Sequence, residues 1–287
     1  MKPSEWLSIR VVVPPAAQEA VAAVLIDSGC TGVEVRERPH SVIAYLPSEE
    51  SARLPQIEAR LQQLPTYDLP AVRKLEVQPV TEQNWHTVWR RYFRSRRFGT
   101  RLRVQPSWSR HKPNADEILV ILDPGLAFGT GGHPTTALCL ELLERYVQPD
   151  SRVADIGTGT GILAIAAAKL GAREVIAVDN DATAVSVAQA NVERNGVASI
   201  VRVCEGDGFN ALEGTFDLIV CNVISSFLEA TAPQVPNYLN PNGVYIISGT
   251  SGRNWRKGVR PSIEAAGLKL EEKRKRRVWV AAVFRKC

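Results

Sequence analysis

The chain has 287 residues, 45% hydrophobic and 23% charged, proportions that exclude a disordered or fibrous polypeptide and suit a catalytic domain with a smaller companion. No run approaches the roughly 18 consecutive apolar residues of a membrane span, and Met1-Lys2-Pro3-Ser4-Glu5-Trp6 has no apolar signal core, so a cytoplasmic protein without a membrane partner is expected. Cys30, Cys139, Cys204, Cys221 and Cys287 show no metal or disulfide spacing, and the net charge of +5 gathers in two clusters, Arg90 to Arg103 and Lys273 to Arg277.

From Trp6 to Val13 the chain reads as a strand that Pro14-Pro15 stops, followed by helical apolar spacing at Val21, Val24 and Leu25 until Ser28-Gly29. Strand-like runs at 32–36 and 41–46, a helix over about 50–63 and a strand near 72–78 complete the order βαββαβ. This order predicts a small α+β ferredoxin-like domain over residues 1–80. Trp85, Val88 and Trp89 then recur at helical spacing among arginines, which predicts a linker helix over 81–97. Aromatic and basic residues interleaved in this way also suit single-stranded nucleic acid, against the plainer reading of a packed helix face.

Residues 98–287 read as one α/β domain. After strands near 101–104 and 117–122, strands ending at Ala154, Val178, Cys204, Cys221 and Ser248 alternate with helices such as 162–170 and 182–194. Such alternation means βαβ units and a mainly parallel, Rossmann-like sheet covered on both faces. The apolar run 278–284 is expected to join that sheet at or near an edge.

Ligands of open parallel sheets bind beyond the carboxyl ends of the strands, where Asp155, Asp179 and Asn222 stand. The turn Asp155-Ile156-Gly157-Thr158-Gly159-Thr160-Gly161 has Gly-x-Gly-x-Gly spacing; the dinucleotide fingerprint needs glycine at 162, which is Ile. An anionic pyrophosphate would also meet the Asp155 carboxylate, whereas the cationic amino-acid end of S-adenosylmethionine would be attracted to it. No Gly-x-x-x-x-Gly-Lys motif occurs. Asp179, 24 residues past Asp155, is placed to accept hydrogen bonds from ribose hydroxyls, although a helix cap is the competing role for an acid there.

Upstream, residues 122–138 hold four glycines in the eight residues from Gly125 to Gly132 and lead into a helix near Thr135. This run is expected to fold over the site as a loop, and His133, preceding a proline, reads as a structural hydrogen-bonding residue rather than a general base.

The Asp123-Pro124-Gly125-Leu126-Ala127-Phe128-Gly129-Thr130-Gly131-Gly132-His133-Pro134-Thr135-Thr136 run, the Asp155 turn, Asp179 and Asn222 together resemble the bacterial ribosomal protein L11 methyltransferases. Trp85, Trp89, Arg97-Phe98-Gly99 and Pro106-Ser107-Trp108 agree with that family, while Val223-Ile224-Ser225 and Gly132 depart from its pattern. The resemblance implies a class I methyltransferase fold and S-adenosylmethionine as cofactor. Carried over by position, Thr136, Gly157, Asp179 and Asn222 would be its contacts, and Asp155, Gly159 and Phe128 are further candidates beside them. It further implies a large-subunit ribosomal protein as substrate, free or ribosome-bound, methylated on lysine and N-terminal amines and recognised by the small domain.

Asn222 is the candidate catalytic residue, orienting the amine through its side-chain carbonyl. The rival reading, an RNA or DNA amine methyltransferase, suits the basic clusters but wants Pro-Pro and an aromatic after Asn222, where Val223-Ile224-Ser225 stands. A non-catalytic ribosome-assembly module is the alternative of another class.

Overall fold

The computed structural model of the chain describes residues 5–286, apart from 38, 68, 82–94, 110, 112 and 124–131. Two compact units are formed, residues 1–92 and 93–287.

In the first unit, strand β1 (Glu5–Val12), helix α1 (Pro15–Asp27), strands β2 (Thr31–Glu37) and β3 (His40–Pro47), helix α2 (Leu54–Gln62) and strand β4 (Lys74–Thr81) follow the βαββαβ order. The strands pair antiparallel in the order β2-β3-β1-β4. Pro15 starts α1 at no cost, because the first-turn N–H it lacks would have no helical acceptor. The period of two along β1 sends Ile9 and Val11 into a core shared with Val21 and Leu25 of α1 and Ile57 and Leu61 of α2. The opposite face of this sheet carries a smaller cluster of Trp6, Ile43 and Tyr45.

Of the linker helix expected over 81–97, residues 82–94, with Trp85, Val88 and Trp89, lie outside the described residues. Thr81 ends β4, and Arg96 and Arg97 belong to a strand, β5 (Arg96–Phe98). With β6 (Leu102–Pro106) and β7 (Ile118–Leu122), β5 makes a three-stranded sheet.

The main sheet of the second unit comprises β8 (Arg152–Ile156), β9 (Glu174–Asp179), β10 (Val201–Glu205), β11 (Phe216–Asn222), β12 (Leu239–Ser251), β13 (Leu268–Arg276) and β14 (Trp279–Lys286). Its order is β10-β9-β8-β11-β12-β14-β13, parallel from β10 to β12, with β14 antiparallel to both neighbours. Helix α3 (Pro134–Tyr146) precedes β8, and α4 (Ile162–Lys169), α5 (Ala182–Arg194) and α6 (Ser225–Thr231) lie between its strands in sequence. The inner strands read as near-continuous apolar runs because both faces are covered. Leu138, Leu142, Leu163 and Ala166 build one core layer against Val153, Val220 and Val283. Phe209, Leu228, Trp255 and Ile263 build the other against Ile156, Ile219, Tyr245 and Phe284.

Two findings refine the sequence reading of this sheet. β14 lies one place in from the edge, and β13, whose Leu268–Arg276 sequence carries no apolar alternation beyond Leu270, is the edge strand. Its half-buried Arg274 pairs with Glu141 and Glu272, and its exposed Arg276 pairs with Glu141 at 2.8 Å.

Candidate active site

The chain leaves β8 toward β9 and β10 on one side and returns to β11 and β12 on the other, so the sheet reverses its winding between the adjacent strands β8 and β11. Crevices form at such a switch point because the two connections diverge over opposite faces. Asp179 closes β9 and Asn222 closes β11, while Asp155, the penultimate residue of β8, opens the glycine turn.

That turn is shaped by left-handed backbone at Gly157 (φ 72°), Gly159 (55°) and Gly161 (80°), conformations that L side chains resist. Gly157 N–H and Thr158 N–H both donate to Val178 O, at 2.9 and 3.0 Å, drawing the turn against the end of β9. At Gly157 close approach adds to the constraint, since a Cβ there would lie 2.5 Å from Val223 Cγ1, next to Asn222.

The turn is also tied to Asp179. Gly159 N–H donates to Asp179 Oδ2 at 2.8 Å, and Asp181 N–H donates to Oδ1 at 3.1 Å. An ionised carboxylate has about four acceptor positions, so two remain for a ligand's hydroxyls. The cap of α5 is Asp181, whose carboxylate accepts from Thr183 N–H. The capping role that competes for Asp179 therefore falls to its neighbour.

Asp155 is fully buried. Its Oδ2 accepts from the Thr158 hydroxyl at 2.7 Å and from Ala164 N–H at 3.1 Å, bracing the turn against the first part of α4. Oδ1 is buried with no hydrogen-bond partner. Burial pushes this carboxyl up to about 7, opposed by those two bonds and reinforced by the negative charge of Asp179. The two acids thus feel one another across the turn, and the orphan oxygen marks an unmet demand for a donor or a cation.

Asn222 carries the second orphan. Its Nδ2 donates to Thr136 Oγ1 at 3.4 Å, while Oδ1 is buried and unpartnered. Thr136 is itself fully buried in the first turn of α3. His133 is the N-cap of that helix, its ring accepting from Thr135 N–H. Its imidazole packs edge-on against Trp279 with centroids 4.9 Å apart, and burial drives its pKa down to about 4. A neutral ring with Nδ1 engaged at the cap fits the structural role expected of it. Phe128 and the glycines from 125 to 131 lie outside the described residues.

The structure therefore joins Gly159 to Asp179, Thr136 to Asn222, and Gly157 to the residue after Asn222. Two residues at the same end of the sheet are not among the site candidates that the sequence suggests. Asp207 stands exposed just beyond β10, where the strand-end rule applied to Asp155, Asp179 and Asn222 would have found it. Ile224 is 66% exposed at the N-cap of α6, the most exposed large hydrophobic among the described residues. Two cavities lie away from this end. One, of about 270 Å³, is lined by Tyr146, Ser151, Asp217 and Asn242; the other, of about 550 Å³, by Thr100, Arg101, Glu141 and Arg274. Neither touches Asp155, Asp179 or Asn222.

Comparison with known proteins covers nearly the whole chain. The family described as ribosomal protein L11 methyltransferase (PrmA) matches residues 5–287. A ribosomal protein L11 methyltransferase of Pelotomaculum thermopropionicum is 39% identical, the match covering 98% of this chain and 99% of that protein. Another, of Chloroflexus aurantiacus, is 37% identical over 100% of this chain and 99% of its own. Among solved structures, a ribosomal protein L11 methylase from Lactobacillus delbrueckii subsp. bulgaricus superposes with a TM-score of 0.62 and 33% identity. That match covers 68% of this chain and 100% of the other.

Proposed function

We propose, since this chain belongs to the ribosomal protein L11 methyltransferase family, that it transfers methyl groups from S-adenosylmethionine to lysine side chains and the N-terminal amine of that large-subunit ribosomal protein. The observation that carries the reading is Asn222, with its amide nitrogen turned to Thr136 and its carbonyl oxygen buried and unpartnered at the strand end.

The residues present fit the cofactor. Asp179 retains acceptor positions for ribose hydroxyls, and the left-handed Gly157 and Gly159 leave the turn free of side chains that would stand between it and a ligand. Asp155, whose carboxyl burial pushes up to about 7, is drawn to its charged form by the cationic amino-acid end, Thr136 and Asn222 border the transfer point, and Phe128, in the run before α3, is assigned a further cofactor contact. Asp207, beyond the neighbouring strand, suits the exocyclic amine of adenine. S-adenosylmethionine supplies an electrophilic methyl on a sulfonium centre.

What the chain contributes is orientation and dryness. An amine attacks only when neutral, and a lysine with a reference pKa of about 10.4 loses its proton more readily where the ammonium is poorly solvated. Asn222 Oδ1 accepts one amine N–H and so aims the nitrogen lone pair. His133, with a pKa near 4 and its Nδ1 at the helix cap, is no match for an amine proton. That proton leaves to water.

The first unit, with its βαββαβ order, is assigned as a ferredoxin-like domain that recognises the protein substrate, whether free or ribosome-bound. The substrate sets the cytoplasm as the working compartment. Lys273, Lys275 and Arg277 are exposed on the β13–β14 hairpin and offer RNA an incidental contact. Methylation of nucleic acid itself is disfavoured by Val223-Ile224-Ser225, where a flipped base would find neither proline nor aromatic to stack on.

The test is incubation with methyl-labelled cofactor and separated ribosomal proteins and RNA. Label on a single large-subunit protein, in lysine and N-terminal amine, is expected. Label on RNA alone would overturn the substrate, and no transfer to any component would favour a binding module.

A further inference from the structure

We infer that Asn191 is a positioning residue that locks the end of β7 to the glycine turn, so that cofactor affinity depends on a side chain remote from the strand ends. The inference rests on the cofactor assignment above. Asn191 lies on α5, is fully buried, and uses all four hydrogen-bonding positions of its amide. Oδ1 accepts from Asp123 N–H at 2.9 Å and from Arg194 Nη1 at 2.7 Å. Nδ2 donates to Asp123 O at 3.2 Å and to Thr160 O at 2.9 Å.

Asp123 follows the last residue of β7 and begins the run that leads to Thr136, the partner of Asn222. Thr160 sits in the glycine turn beside Gly159, whose N–H holds Asp179. One amide thus spans the segments that carry the ribose side and the amine side of the site.

The surrounding geometry is built around this joint. A Cβ on Gly161 would meet Ala188 Cα and Cβ at 3.3 Å, so the glycine lets α5 press onto the turn one helical step before Asn191. One turn further on, Asn195 repeats the clasp on β7, accepting from Ile121 N–H at 2.9 Å and donating to Ile121 O at 2.6 Å, and its Nδ2 also donates to the backbone oxygen of Asn191 at 2.8 Å. Asn191 and Asn195, the C-cap of α5, thereby act as a surrogate strand for the end of β7. Only Asn191 of the two also reaches the glycine turn.

That difference supplies the test. Asn191→Ala, Asn191→Asp and Asn195→Ala are compared by calorimetric titration with S-adenosylhomocysteine and by thermal unfolding. Asn191→Asp keeps the acceptor oxygen but loses the N–H donors to Thr160 and Asp123, and serves where the alanine variant fails to fold. Both Asn191 variants should bind S-adenosylhomocysteine about tenfold more weakly, the worth of one buried hydrogen bond. Asn195→Ala should lower the unfolding midpoint while keeping affinity within about twofold of the parent.

Parent-like affinity in a folded Asn191 variant, or equal weakening in Asn195→Ala, would overturn the inference and leave the cofactor assignment standing. Failure of the parent chain to bind S-adenosylhomocysteine would overturn the assignment and the inference together.

Discussion

Asp155 has two unlike oxygens, one bonded twice and one orphaned, and the pair explains a pH dependence that surface acids do not show. Its carboxyl titrates near 7 in the fold against an ordinary value of 3.8, because burial disfavours the ion. The folded state therefore binds the extra proton. Asp155 thus contributes stability that is fully present below about 3.8 and is lost as the pH rises toward about 7. The variant Asp155→Asn removes this titration, and its unfolding midpoint relative to the parent should rise steadily between those pH values. A constant difference would refute the assignment. At Asn222 the expected effect is on chemistry. Replacement by Ala should lower kcat about 100-fold while weakening S-adenosylhomocysteine binding less than about tenfold, because the acceptor proposed to aim the amine is lost. Equal losses in both would remove the orienting role. His133 carries a structural duty instead, as cap of the helix that delivers Thr136.

Turns and strand ends, more than single groups, set how these residues meet. Gly157→Ala places a Cβ 2.5 Å from Val223 Cγ1 on a backbone with φ 72°, a conformation costing about 1–2 kcal/mol for other residues. Val223 must then move, and Asn222 with it, so cofactor affinity and turnover should fall together in steady-state assays. Glu144 of α3 works at a different joint, accepting from Thr100 N–H at 2.7 Å, the Thr100 hydroxyl at 2.9 Å and Arg101 N–H at 2.5 Å. Glu144→Ala should cost about 1–3 kcal/mol and lower the melting temperature by several degrees, with activity at low temperature retained.

Elements announced themselves in the sequence where burial alone shapes them. Val153-Ala154, Ile219-Val220 and the Ala-rich α4 are apolar because neighbours cover both sides, and the full burial of 280–284 likewise belongs to an interior strand. β13 was illegible because ion pairs to Glu141 and Glu272 replace the apolar alternation by which strands are recognised. The site was legible in Asp155, Asp179 and Asn222, whose positions follow from strand ends. The Asn191 clasp was not, since an asparagine inside a helix announces no partner until β7 and the glycine turn converge on it.

At the scale of the molecule, the two units have separate cores, one of Ile9, Val21, Leu25, Ile57 and Leu61 and the other in two layers about the main sheet. Units with cores of their own unfold as units of their own. Scanning calorimetry should resolve two transitions, and S-adenosylhomocysteine at 100 times its Kd should stabilise only that of residues 93–287, by about 2.7 kcal/mol. A single transition shifted as a whole would show that the units unfold together. The place of β14 bears on the order in which the chain is made. This strand is the last of the seven in sequence, yet it fits between β12 and β13 and gives Ala281 and Val283 to one core layer and Val280, Ala282 and Phe284 to the other. During synthesis the first unit can fold as it emerges, whereas the larger sheet waits, its β12 flank open, until its final strand arrives. The nascent catalytic half therefore emerges as an unfinished sheet whose open β12 flank is a template for chaperone capture or aggregation until β14 is made.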